Sequence, residues 1–500
     1  MQVTLAGYNI DVEIIEQVAR ITNEYPYDIE DFDHLIDLLT KLSGETLSPE
    51  TVAAAYARIS RSDKDMKELR REARFSISRT RRTNERIVFG YGHASIAEHA
   101  IVNLDITGIS RLAIEELESH RLASYTESSQ RYIAMTGDFV IPQEVIEAGL
   151  AERFRSDCEE LFSAYHDLTD KLERKYANLP DRDRNTKTRE DARYVLPLAS
   201  RSQVGVTINA RTAEWMIRNF NRSPLAEVRD LGQQMLSAIK SIVPSLIKHT
   251  EPNRSLEAAQ SEIAYMSQSL VHNKLDENEL TVELIEAPLN GELNALASIL
   301  FGSGYGSFSS CLSALEKMNS SRREALLVTA HKCISVHEPL RRELELGHFT
   351  FSVTLSSSAF AQFKRHRIAT LIKQRYLPEL GNIVPDSIIE VNGEDIFQHS
   401  IEVSNNLFEL LQDKLNDDNK YAAQYALTNA HKRRVIFKAN ARELTHFSRL
   451  REDTHAQWDI RGIAKEMIRL AREACPALML FASGKDSFDT LSEKLFGNNE

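Results

Sequence analysis

Apolar residues recur at three- and four-residue spacing over 147–176, 224–248, 401–416 and 456–474. That spacing gathers them on one face and predicts an amphipathic helix in each stretch. Other runs alternate side to side, as half-buried strands do. These are 100–106 (AIVNLDI), 348–354 (HFTFSVT), the opening VTLAGYNIDVEI, and LTVELIEAPL near residue 280.

The order of these elements repeats, and so do the words between them. His120-Arg121-Leu122-Ala123-Ser124 returns as His366-Arg367-Ile368-Ala369-Thr370, and each copy is followed by Gln-Arg-Tyr, at 130–132 and 374–376. Asn209-Ala210-Arg211 returns as Asn440-Ala441-Arg442. Landmarks in the same order argue for duplication. The expectation is an α+β protein of two tandem units, 1–265 and 280–500, each a β-sheet packed with helices. The polar segment 272–278 (HNKLDEN) is the expected linker.

Composition narrows the class. With 42% hydrophobic and 27% charged residues, the chain can fill two cores of roughly 200–250 residues each. A net charge of −12 argues against nucleic acid as a bulk partner, while leaving room for a local anion site. No apolar run is long enough to span a membrane. The N-terminus has no cationic flank before an apolar stretch, so no signal peptide is expected. Cys158, Cys311, Cys333 and Cys475 lack CxxC spacing and read as reduced thiols in a cytoplasmic protein. His93 and His99 have no recognised metal spacing, so no metal is expected.

Several constellations carry candidate chemistry. In the first unit, 119–132 reads SHRLASYTESSQRY, whose arginines and hydroxyls suit a phosphorylated, hydroxyl-bearing ligand, though a solvated helix end would look the same. Gly92-His93-Ala94-Ser95-Ile96-Ala97-Glu98-His99 offers close backbone approach with polar contacts, and Arg193 precedes an apolar run. In the second unit, 362–367 (QFKRHR) is concentrated positive charge, with Gln362 and Arg365 on one face if helical; a basic helix end is the plainer reading. Along 440–461, Arg442 and His446 are four apart, as are Arg451 and His455, so each pair can face one ligand.

Together these segments resemble the flavin-dependent thymidylate synthases, the ThyX family, whose signature is Arg-His-Arg-x-x-Ser-x-Asn-Glu-x-Ser-x-Arg-Tyr. The first unit matches it at His120, Arg121, Ser124, Glu127, Ser129, Arg131 and Tyr132, and departs at Ser119 and Thr126. GHASIAEH (92–99) and DARYVLP (191–197) resemble two further family elements. The second unit keeps Gln362 and Arg365-His366-Arg367, loses the Asn-Glu-x-Ser portion, and keeps the late helix with Asn440, Arg442, His446, Arg451 and the HAQW run from His455. Its phosphate-arginine position holds Gln424.

The resemblance implies methylation of dUMP to dTMP, with FAD as cofactor and NADPH and methylenetetrahydrofolate as co-substrates. It implies that Arg451, Gln362 and Arg365 face the base, and that Glu127, Ser129, Gln130, Arg131 and Arg193 hold the nucleotide. His93, Ser95, Glu98, His120, Arg121, His366, Arg367, Asn440, Arg442, His446 and His455 are implied around FAD. Family members are homotetramers with sites between subunits. Each unit here lacks what the other retains, so one composite site type and a homodimer of two-unit chains are expected. The alternatives are a related flavin-dependent pyrimidine modifier acting on UMP or adding a hydroxymethyl group, and a non-catalytic nucleotide-binding paralogue.

Overall fold

The structure, a computed structural model, describes residues 1–16, 48–271, 281–332 and 334–497. The expected linker at 272–278 and Cys333 lie outside the described residues. Cys158, Cys311 and Cys475 are unpaired thiols. Among the described residues no helix is long and apolar enough to cross a membrane, and no cluster of His, Cys, Asp and Glu could hold a metal ion.

Two four-stranded antiparallel sheets are present. The first has order β1-β2-β4-β3, with β1 Gln2–Tyr8, β2 Ile101–Ser110, β3 Ala123–Glu127 and β4 Arg201–Asn209. The second repeats it as β5-β6-β8-β7, with β5 Val282–Glu286, β6 His348–Ser356, β7 Thr370–Lys373 and β8 Lys432–Asn440. In the first unit the helices that matter for the site are α1 Arg111–Leu117, α2 Ala151–Lys175, α3 Asp181–Ala192, α4 Ala210–Phe220 and α5 Ala226–Ile239. In the second they are α6 Ser357–Phe363, α7 Glu394–Lys414, α8 Ala441–Arg451 and α9 Trp458–Ala474.

The alternating runs form strands and the three- and four-spaced runs form helices. Boundaries differ: the helix expected over 224–248 spans Ala226–Ile239, and β1 stops at Tyr8, with residues 12–14 of the opening run helical. There Asp11 accepts the Glu13 amide at 3.2 Å and pairs with Arg70 and Arg74, which breaks the strand.

Strand register fixes which residues of the two units correspond. Ser110 opposes Arg201 as Ser356 opposes Lys432, and Ser124 opposes Thr207 as Thr370 opposes Lys438. β2 carries one extra residue, a bulge at Gly108 with φ +69, where the Met1 backbone lies 3.5 Å from the position a Cβ would take. Ser110 and Ser356 each cap the following helix, α1 and α6, accepting the Ala113 and Ala359 amides at 3.0 Å.

The units are interlocked. Residues 193–200 and 424–431 pair with each other across an approximate two-fold axis. Leu198 donates its N–H to Leu427 O at 2.7 Å, and the equivalent Asn429 donates to Leu196 O at 3.0 Å. Ala199 to Tyr425 O (3.1 Å) and Ala430 to Tyr194 O (3.0 Å) complete the exchange. Each tyrosine crosses into the other unit: Tyr425 OH donates to Glu227 Oε2 at 2.7 Å and Tyr194 OH to Asp459 Oδ2 at 3.1 Å. Those carboxylates also accept from Ser110 and Ser356.

The core around β2 and β4 therefore includes Tyr376, Leu407, Leu411, Tyr425 and Leu427 of the second unit. Another cluster joins Phe162, Tyr165 and Leu168 of α2 to Phe397 and Ile401 of α7. Burying one such aromatic contributes roughly 1.5–3 kcal/mol.

Candidate functional site

A cleft of about 760 Å³ opens between the units. The first unit lines it with Arg111, Glu127, Ser129, Gln130, Arg131 and Arg193, and the second with Gln362, Arg365, Arg449, Arg451, Asp453, His455 and Lys485. Both contributions come from one chain. In a chain of net charge −12, the lining is conspicuously cationic.

Most of the first unit's polar groups are fixed by neighbours. Arg131 donates through Nε to Glu190 Oε2 at 2.8 Å and through Nη2 to His455 O at 3.4 Å. Glu127 sits beside Arg111, with Lys364 Nζ 3.8 Å away. Burial would raise its pKa, but Arg111, Lys364 and Arg365 outweigh burial and hold it below the usual carboxylate range. Ser129 Oγ accepts the Arg131 amide at 3.3 Å. Gln130 Oε1 accepts from Asn429 Nδ2 at 3.1 Å, which also donates to Arg193 O at 2.9 Å.

Arg193 is different. It is 5% exposed, donates Nε to the Glu190 carbonyl at 3.2 Å, and has no carboxylate partner among the described residues; its Nη2 is buried and finds no acceptor among them. Burial lowers its pKa. Arg451 likewise has no carboxylate partner among the described residues. Its Nε donates to His366 Nε2 at 3.0 Å and its Nη1 to Gln362 Oε1 at 3.2 Å. Burial, with repulsion from Arg365 and Arg131, brings its pKa down to about 10.

Gln362 is the penultimate residue of α6, which ends at Phe363, so Arg365 lies past the helix rather than on its face. Both still line the cleft. α8 likewise ends at Arg451, which places His455 in the following turn rather than on a shared helical face. Arg442 and His446 do share a face, in a second cleft of about 410 Å³ that also contains Glu443 and meets the first at Arg449, Leu450 and Lys485. Asn440 caps α8, accepting the Glu443 amide at 2.8 Å.

Arg121 donates to Ala369 O at 2.9 Å, and Arg367 lies 5.8 Å over the Tyr125 ring. His120 is buried edge-on against Trp215 (4.6 Å) and Phe220 (5.2 Å). His93, Ser95 and Glu98 line neither cleft: His93 and Ser95 are exposed, and Glu98 pairs with Arg211.

Sequence reasoning missed Arg111, Arg449 and Lys485. Arg111 is the first residue of α1, and only strand register brings it to Glu127. Arg449 is buried, donates to Val336 O and Glu338 O at 3.1 and 2.6 Å, and leaves Nε and Nη2 unpartnered.

The place related to the cleft by the two-fold is filled. By register, Lys373 stands where Glu127 does, Gln424 where Arg193 does, Glu116 where Gln362 does and Phe220 where Arg451 does. Lys373 pairs with Glu116 at 2.9 Å. Arg433, which replaces Ser202, is fully buried; its Nη1 meets Glu115 Oε2 at 2.7 Å, and its guanidinium stacks 3.6 Å from the Tyr376 ring centroid and 4.7 Å from that of Phe360. Tyr376 OH donates to Glu115 Oε1 at 2.8 Å.

Two units exchange segments around one open, cation-rich cleft and one closed counterpart. The chain belongs to the family described as thymidylate synthase complementing protein, which it matches over residues 41–245 and 303–477. A UPF0159 protein of Chlamydia muridarum is 24% identical over 435 residues, 81% of this chain and 81% of that one. The flavin-dependent thymidylate synthase of Clostridium tetani is 31% identical over 222 residues, 43% of this chain and 86% of that one. Among solved structures, Helicobacter pylori ThyX complexed with FAD and dUMP covers 50% of this chain and 100% of its own, at 16% identity and a TM-score of 0.31.

Proposed function

We propose that this protein is a flavin-dependent pyrimidine nucleotide methylase that converts dUMP to dTMP, with FAD as cofactor and NADPH and methylenetetrahydrofolate as co-substrates. The observation that carries the reading is the pairing of buried Arg193 with half-buried Arg451, one from each unit, as cations that have no carboxylate partner among the described residues in one cleft. An uncompensated buried guanidinium is unfavourable until an anion arrives. Family membership, matched in each half, and similarity to shorter flavin-dependent thymidylate synthases point to the same chemistry.

Arg193, Arg131 and Ser129 would hold the nucleotide phosphate, with Gln130 and Glu127 closing the polar shell. Arg451, with Gln362 and Arg365, would face the pyrimidine. A guanidinium there favours negative charge on the ring and activates its 5-carbon without a thiol nucleophile; no cysteine is among the described lining residues.

The donor set also fits a flavin dinucleotide. Gln130 Nε2, Gln362 Nε2, Arg367 Nη1 and the free Arg449 nitrogens are buried donors without acceptors, as an oxygen-rich anion requires. Arg367, Asn440, Arg442, His446 and His455 would hold it, and reduced flavin would supply the hydride. A homodimer is part of this reading, and a second copy is the source from which His93, Ser95 and Glu98 would reach a flavin.

The test is the visible spectrum of the purified protein, followed by NADPH oxidation with and without dUMP and product mass with dUMP or UMP. Yellow protein with dUMP-stimulated oxidation and a product heavier by one methylene supports the proposal. A colourless protein that no pyrimidine nucleotide stimulates overturns it, and turnover with UMP alone reassigns the substrate.

A further inference from the structure

The contacts of Arg451 fix a proton on a neighbouring ring. Arginine Nε always donates, so His366 Nε2, 3.0 Å away, accepts. The imidazole proton then sits on Nδ1 and is donated to Glu443 Oε1 at 3.1 Å. Burial and the positive charge of Arg451 oppose a second proton on the ring. A carboxylate thus belongs to this chain of hydrogen bonds, yet an imidazole ring separates it from the guanidinium. Direct contact would neutralise Arg451, whereas one ring of separation leaves most of its field directed at the cleft.

The duplication supplies an internal comparison. The first unit keeps the histidine as His120, but Thr212 stands where Glu443 does, Phe220 where Arg451 does and Glu116 where Gln362 does. There the ring turns to Leu117 O at 3.3 Å and packs on Phe220. Carboxylate and guanidinium are present together in one unit and absent together in the other.

We infer that Glu443 and His366 are positioning residues. Glu443 locks His366 in the Nδ1–H tautomer, so that a neutral acceptor aims Arg451 and its charge stays free for an electron-rich ligand. The ligand, the pyrimidine ring of a nucleotide, rests on the function proposed above; the tautomer does not.

Two measurements on the full chain test this. In histidine-labelled protein, ¹⁵N spectra assign His366 by its loss in His366→Gln. The expected signal is a neutral ring protonated at Nδ1, lost or mixed in Glu443→Leu and retained in Glu443→Gln, which keeps an acceptor. An Nε2–H ring in the unsubstituted protein overturns the inference.

Calorimetry with dUMP then separates charge from geometry. His366→Glu preserves an acceptor for Arg451 but puts a carboxylate against it, and affinity should fall about 100-fold. His366→Gln keeps a neutral acceptor and should lose only about 5- to 10-fold. Equal losses in the two variants overturn the inference, because a merely structural hydrogen bond would not distinguish them. If His366 shows the stated tautomer but the unsubstituted protein binds no pyrimidine nucleotide, the proposed function fails while the lock stands.

Discussion

Glu118 Oε2 lies 2.9 Å from Lys364 Nζ, and the two residues hold the same position in the two units, each two residues ahead of its His-Arg pair. Both are buried. Two identical units meeting in this way would bring like charges together, so this contact makes each half fit the other and not itself. Lys364→Glu should remove roughly 3–5 kcal/mol of stability, because it leaves carboxylates facing one another in low dielectric. Adding Glu118→Lys should return most of the loss in urea unfolding. No recovery in the double variant would show that the pair does not set the fit of the halves.

Arg193→Ala should separate stability from binding. The guanidinium is buried without a carboxylate, so its removal should leave the melting temperature unchanged or slightly higher. Affinity for dUMP should fall by about 10- to 100-fold, the value of charge-assisted hydrogen bonds to a phosphate. A large loss of stability with affinity intact would contradict the role proposed for it.

Mixing Arg193→Ala with Arg451→Ala should restore no turnover, since one chain supplies both residues to the cleft. The filled counterpart also sets a stoichiometry. With Arg433, Glu115 and Tyr376 occupying it, calorimetry should find one nucleotide bound per chain. Two bound per chain would mean that the counterpart opens in solution.

Stability should also fall on acidification. Burial takes His120 and His431 down to about 4, from an unfolded value of 6.5. The unfolded chain then binds more protons below pH 6.5, so the stabilisation is complete above about 6.5 and is lost as pH falls towards about 4. Each histidine can account for roughly 3 kcal/mol across that window. Glu227 and Asp459, whose burial raises their pKa values, act in the opposite sense. His431→Gln should flatten the dependence of the urea midpoint on pH. His431 receives the Thr428 amide at 3.0 Å and donates to Asn405 Oδ1 at 2.8 Å, contacts a glutamine can partly replace.

The elements and their duplication were legible because both are local: strand alternation, helical spacing and paired words all lie within a few residues. The residues around the cleft were legible as two incomplete sets, at 127–193 and 362–455. What local pattern could not show was the exchange of 193–200 with 424–431, whose hydrogen bonds join residues over 200 positions apart. Nothing in the local sequence marks Arg433, and only the folded register brings it to Glu115 and the Tyr376 ring. The same holds for Arg111 beside Glu127. Helix ends were misplaced at Arg365 and Arg451 because charge and apolar spacing continue after the backbone has turned.

The crossing of Tyr194 and Tyr425 has a consequence for how the chain is made. The core around Val102, Leu104 and Ile106 is completed by Tyr425 and Leu427, which leave the ribosome about 230 residues after Tyr194. At about 5–20 residues per second, that interval is on the order of 10–50 s. Throughout it the amino-terminal half holds an apolar seam that its own residues do not cover.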